Sequence, residues 1–170
     1  PQAMAEAEEA RRRLAFDELL RIQLALVMRK RRIEATSQGI VHVTGRELVR
    51  RFVDRLPFEL TGDQQRVIAE IEADLARPVP MHRLLQGDVG AGKTVVAVAA
   101  LLSAVQGGHQ GAFMAPTEVL ADQHHSSIRP LLEGMTVPDD GASLFGERPL
   151  TVELLTNKVT GKERQRVLAA

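Results

Sequence analysis

The stretch "LLQGDVGAGKT", residues 84–94, carries the spacing G-x-x-x-x-G-K-T, with Gly87, Gly92, Lys93 and Thr94 at its fixed positions. These residue types suit a phosphate cradle. Gly87, Gly90 and Gly92 permit positive φ and let backbone N–H groups approach phosphate oxygens, with Asp88, Val89 and Ala91 completing the loop. Lys93 offers a point charge to the β- and γ-phosphates, and the Thr94 hydroxyl offers a ligand to Mg²⁺. A helix beginning at Lys93 would point its positive end at the same anion. A chance match in a glycine-containing turn is the competing reading, and the flanks count against it. "MHRLLQ" (81–86) follows a Pro-bounded break, as a buried parallel strand should. "KTVVAVAALLSAVQ" (93–106) is a long apolar run ending at Gly107-Gly108, a helix stop.

Composition narrows the remaining classes. An apolar content of 44% and a charged content of 26% describe an ordinary globular chain of one domain, or one domain with a helical attachment. Phe is the only aromatic besides His, which argues against a base-stacking platform for single strands. No cysteine is present, so there is neither a disulfide framework nor a thiolate metal site, in keeping with the cytoplasm. The longest apolar run, residues 95–102, is too short to span a bilayer, and the N-terminus lacks the apolar core of a signal peptide. Net charge is zero but uneven: residues 1–56 hold 12 Lys/Arg against 8 Asp/Glu, and residues 57–170 hold 10 against 14. The basic front half suits a polyanion, and solvated helix faces account for it equally well.

Residues 6–32 read as one long helix with acid-first i,i+4 pairs (Glu8/Arg12, Glu9/Arg13, Asp17/Arg21), an apolar stripe through Phe16, Leu20, Leu24 and Val27, and "RKRR" (29–32) at its negative end. Turn residues follow, with a short strand expected at 40–43. "RELVRRFVDRL" (46–56) reads as a second helix that Pro57 ends. Thr61 and Gln64 have capping-box spacing and open a third helix, whose buried stripe is Val67, Ile68, Ile71 and Leu75. Beyond the glycine loop and its helix come a strand at 111–115, a helix capped at Thr117 that Pro130 should kink or end, a loop over 136–149, a strand at 151–156, and a helix from a Thr160/Glu163 capping box. Strands alternating with helices argue for an α/β fold with a parallel sheet (57–170) behind a helical linker region (1–56). His124 and His125 are adjacent in a helix and make a poor metal pair; they read as surface and packing residues.

Four stretches in order, "PFELTGDQ" (57–64), "LLQGDVGAGKTVVA" (84–97), "MAPTEVLADQH" (114–124) and "GKERQRVL" (161–168), resemble the RecG family of bacterial superfamily 2 DNA helicases. "RRRLAFDELLRIQLAL" (11–26) resembles the segment joining that family's DNA-binding wedge domain to its motor. The resemblance covers nearly the whole chain. "GDVG" before "AGKT" is shared with transcription-repair coupling translocases, whereas the front helix and "MAPTEVLA" favour the RecG family.

The resemblance implies a partial RecA-like P-loop lobe, ATP with Mg²⁺ as cofactors, bacterial cytoplasm, no membrane, and branched or forked duplex DNA as the partner of an ATP-dependent helicase. Lys93 and Thr94 would be its catalytic residues. Gln64 matches the residue whose amide reads adenine, beside its capping-box role; Phe58 would stack on the base, with core packing as the alternative. Pro116 and Thr117 match a motif that meets a DNA phosphate, with a plain N-cap as the alternative for Thr117. Lys162 and Arg164 are the further cations expected to meet DNA. Two departures stand out: "LLTN" (154–157) replaces the family's "LLTGS", and 136–149 resembles an insertion. The family's later acidic pair and arginine finger find no match. Asp139-Asp140 follow Pro138 with no apolar strand leading in, so the sequence reads as a fragment that binds nucleotide without hydrolysing it. A non-catalytic ATP- or DNA-binding module is the alternative from another class. In superfamily 2 lobes later strands separate the two central ones, so 84–86 and 112–114 should lack neighbours, leaving an incomplete or rearranged sheet or self-association through open edges.

Overall fold

The computed structural model describes residues 2–42, 47–138 and 146–169, with backbone alone at 2, 3 and 169. Val43 of the expected front strand, Arg46, Asp139-Asp140 and Ala170 lie outside the described residues.

Helix α1 runs Gln2–Thr36, longer at both ends than its periodicity predicts, and none of its described side chains is buried. Three i,i+4 ion pairs lie along it, at Glu8–Arg12 (3.2 Å), Arg13–Asp17 (3.5 Å) and Lys30–Glu34 (3.8 Å). Arg13 thus chooses Asp17 over Glu9. All three lie at the surface and contribute little to stability.

The core lies elsewhere. Helix α2 (Glu47–Asp54) buries Leu48, Val49 and Phe52 against α4 (Lys93–Gln106), whose Val95, Val96, Val98, Ala99 and Leu102 supply the centre of the cluster. Helix α3 (Gly62–Leu75) adds Ile68 and Ile71, and α5 (Glu118–Leu132) adds Ile128 and Leu132. The Gln106 side-chain oxygen accepts from the Leu48 N–H at 2.8 Å, so the end of α4 caps the start of α2. Arg55 donates to the Glu133 carbonyl at 2.6 Å, tying α2 to the exit of α5 as well. Helix α5 continues two residues past Pro130, which therefore does not end it. Helix α6 (Gly161–Ala169) closes the described chain.

The expected parallel sheet is not formed among the described residues. Residues 81–86, 111–115 and 151–156 lie outside helices and strands and join no ladder. A ladder needs a partner at hydrogen-bonding distance, and Met114, 91% exposed, has none on its outer side. The one sheet among the described residues is instead antiparallel and sits where a loop was expected: β1 (Thr136–Pro138) pairs β2 (Glu147–Pro149) with Thr136 opposite Pro149 and Val137 opposite Arg148. Met135 and Val137 are buried, and β1 lies against α4.

Candidate functional site

The glycine loop leads directly into the N-terminus of α4, and the segment before it, 81–86, forms no strand. Gly90 (φ 83°) and Gly92 (φ 76°) occupy left-handed backbone, where a side chain would be strained. Gly87 does not have positive φ, contrary to expectation. A Cβ there would make only ordinary contacts, 3.4 Å from the Ala91 Cβ and 3.9 Å from the Lys93 Cγ. Gly92 is the N-cap of α4, and its carbonyl accepts from the Val95 N–H at 3.0 Å. No side chain caps α4, so its first N–H groups keep their capacity for an anion.

Lys93 reaches back across the loop. Its ammonium donates to the Gly87 carbonyl (2.7 Å) and the Asp88 carbonyl (2.6 Å). Thr94 follows in the first turn, half-buried, while Asp88, Val89 and Ala91 are exposed. Gln64, at the N3 position of α3, forms both halves of a capping box: the Thr61 N–H donates to Oε1 at 2.9 Å, and the Gln64 N–H donates to the Thr61 hydroxyl at 3.2 Å. Its Nε2 also donates to the Ala91 carbonyl in the loop at 3.0 Å, a contact that no local spacing could disclose. Phe58 is 49% exposed and lines a cleft of about 480 Å³ with Val53, Leu56 and Gln65, apart from the Gln64–Ala91 contact.

Arg83 anchors the segment entering the loop. It donates to Asp74 (2.6 Å) and Glu70 (2.8 Å) on α3. The hydrogen bond from Arg83 holds the Asp74 carboxyl below its ordinary value, and Arg77 and Lys30 add to the effect. Both carboxylates raise the Arg83 guanidinium. Acid–base spacing within one helix could not have revealed this network.

The residues expected to meet DNA lie along another edge. Thr117 is the N-cap of α5, accepting from the Leu120 N–H at 3.3 Å. Glu118, next to it, accepts from the Asn157 N–H at 3.2 Å and pairs with Lys158 at 3.7 Å, so the "LLTN" turn abuts the start of α5. Pro116, Lys162 and Arg164 are exposed, the last two on α6. His124 packs on Phe113 with ring centroids 4.8 Å apart, and His125 hydrogen-bonds the Val152 carbonyl at 3.3 Å. No group of three His, Cys, Asp or Glu suited to a metal is present among the described residues. No helix among them is long and apolar enough to cross a membrane.

Residues 61–166 match the DEAD/DEAH box helicase family model. Over 99% of its length the chain is 44% identical to the ATP-dependent DNA helicase RecG of Synechocystis sp., covering 19% of that protein. It is 42% identical to RecG of Bacillus subtilis, again over 99% of the chain and 23% of the relative. The chain therefore spans about a fifth of the length of these curated relatives. Among solved structures it is similar to RecG bound to a three-way DNA junction, with a TM-score of 0.67 and 43% identity over 75% of this chain and 17% of that one.

Proposed function

The chain belongs to the DEAD/DEAH box helicase family, and from that premise we propose that its glycine loop binds the triphosphate of ATP for a motor that acts on branched duplex DNA. The observation that carries this reading is the convergence of positive-φ Gly90 and Gly92, the Lys93 ammonium and the uncapped start of α4 on one loop. Lys93 would exchange two neutral carbonyls for phosphate oxygens, which are stronger acceptors for an ammonium. Thr94 would ligate Mg²⁺, and Gln64 would read the adenine. In this proposal residues 57–170 are the nucleotide-facing part of a RecA-like lobe, with 81–86, 111–115 and 151–156 in the places of its strands.

Binding and turnover separate in this polypeptide. Turnover requires charge stabilisation on the transferring phosphoryl group and a positioned water, and an arginine finger alone is worth about 10³–10⁵ in rate. Lys93 and Thr94 are the residues this proposal assigns to the phosphoryl group, and it assigns no arginine finger or water-positioning carboxylate among the described residues. A phosphate-release assay with Mg·ATP and a three-way junction should therefore show no release above buffer from the 170-residue polypeptide. Robust release that Lys93→Ala removes would refute this division.

For DNA, Thr117, Lys162 and Arg164 offer phosphate contacts, with Pro116 preceding the α5 N-cap, so affinity should be weak and sequence-independent. It should fall steeply with salt. An anisotropy titration across a salt series, with Lys162→Ala and Arg164→Ala alongside, tests this. Tight binding indifferent to salt would contradict it.

A further inference from the structure

The carboxamide of Gln64 makes two contacts, one to its own helix cap and one to the glycine loop. A glutamine amide has two N–H donors and an oxygen with two lone pairs. One lone pair takes the Thr61 N–H, and one N–H goes to the Ala91 carbonyl. One donor and one acceptor remain, the pair a base edge such as that of adenine requires. The cap, the loop contact and base recognition are therefore compatible at a single side chain.

The loop contact has a mechanical consequence. In a trans peptide the Gly92 N–H lies antiparallel to the Ala91 carbonyl. Fixing that carbonyl toward α3 therefore also fixes the direction of the Gly92 N–H. A Cβ at residue 92 would collide with the Gln64 Nε2, so glycine there serves this approach as well as the positive φ. Gln64 is itself held by the capping box, half-buried on a helix whose Ile68 and Ile71 are in the core. The loop turn is thus fastened to a rigid element before any ligand arrives. The opposite end of the loop is closed by Lys93 on Gly87 and Asp88.

We propose that Gln64 is a positioning residue of the phosphate loop, holding the Ala91–Gly92 turn in its phosphate-receptive form independently of any base contact. This inference rests on the proposed nucleotide-binding reading and deepens it. A residue that only reads the base is irrelevant to a ligand without one, whereas a positioning residue is not.

The test uses inorganic tripolyphosphate with Mg²⁺, a base-free probe, titrated by calorimetry into the full 170-residue chain, with Mg·ATP in parallel. Gln64→Ala should weaken tripolyphosphate binding about three- to tenfold, the worth of one hydrogen bond. Gln64→Met, which keeps the side-chain volume and removes the N–H, should do the same. Thr61→Ala weakens the α3 cap but leaves the carboxamide in place, and should stay within about twofold of the parent. Circular dichroism melts establish that every variant is folded. Unchanged tripolyphosphate affinity in Gln64→Ala, with ATP alone weakened, overturns the proposal. Equal losses in Gln64→Ala and Thr61→Ala overturn it too, assigning the effect to the helix cap. Failure of the parent to bind either ligand has a different meaning: it removes the phosphate-binding reading itself, and this inference with it.

Discussion

At the scale of single residues, the loop was legible where its chemistry is local. The helix expected from Lys93 begins there, with Gly92 at positive φ as its N-cap. Gly87 departs from the positive φ expected of it, because a fixed position in a pattern does not say which physical demand fixes it; its φ is open to any residue. The ties of Gln64 to Ala91 and of Arg83 to Glu70 and Asp74 were illegible, since they join segments that only the fold brings together. Arg83 is informative because residues 81–86 join no ladder, so its two carboxylate partners hold that segment to α3. The Asp74 carboxyl is lowered, so its contribution is present above the ordinary carboxylate value and lost as pH falls through the lowered one. Asp74→Asn should imitate that loss at neutral pH. Limited proteolysis should then cut 81–86 faster while the global melting temperature moves only slightly, because the pair lies at the surface, part-screened by solvent, and away from the core cluster. An unchanged cleavage rate would show that Arg83 does not hold the segment.

Among the elements, helices were legible and strands were not. A helix satisfies its own backbone, so caps such as Thr61 and Thr117 and apolar periodicity sufficed to place α3, α4 and α5. A strand needs a neighbour, which the apolar runs at 81–86 and 111–115 could not supply. Helix α2, grouped by its charge with the front of the chain, shares its core with α4, and Phe52 is fully buried there. Phe52→Ala should cost about 3–5 kcal/mol in urea denaturation, the range for emptying a buried aromatic site. A cost below about 1 kcal/mol would mean that α2 is only loosely attached. The segment after α1 docks by a different means. Gly39 and His42 donate their N–H groups to the Pro78 and Leu75 carbonyls at 3.0 and 2.9 Å. A Cβ at Gly39 would fall 2.5 Å from the Val79 carbonyl carbon. The His42 ring meets His109 edge-on at 5.3 Å, and its Nδ1 is buried without a partner. Burial first, and then His109, lowers the His42 pKa, so folding favours the neutral ring. That contribution is complete above the ordinary value of 6.5 and is lost as pH falls through the lowered one. Hydrogen exchange at the Gly39 and His42 amides, corrected for intrinsic rates, should therefore quicken between about pH 7.5 and 5.5. His42→Asn should flatten that profile; a parent profile already flat would contradict the assignment.

Taken whole, the molecule joins a packed helical core to surfaces that are not covered. Leu14, Phe16, Leu19, Ile22 and Leu24 of α1 are all more than half exposed and distributed around the helix, the pattern of a helix that packs on more than one side. Sedimentation equilibrium should show mass rising with concentration, and the double change Phe16→Glu with Leu20→Glu should reduce it. A strictly monomeric parent at tens of micromolar would show that these faces and the open strand edges do not associate. The phosphate loop is independent of that question, because the groups it draws on lie within 87–106 and on the capped start of α3. The central claim is that this loop holds ATP as it stands. Its most direct test is a calorimetric titration of Mg·ATP into the parent chain and into Lys93→Ala. The account predicts saturable one-to-one binding by the parent that Lys93→Ala abolishes. Equal heats from both proteins, or none from either, would contradict it.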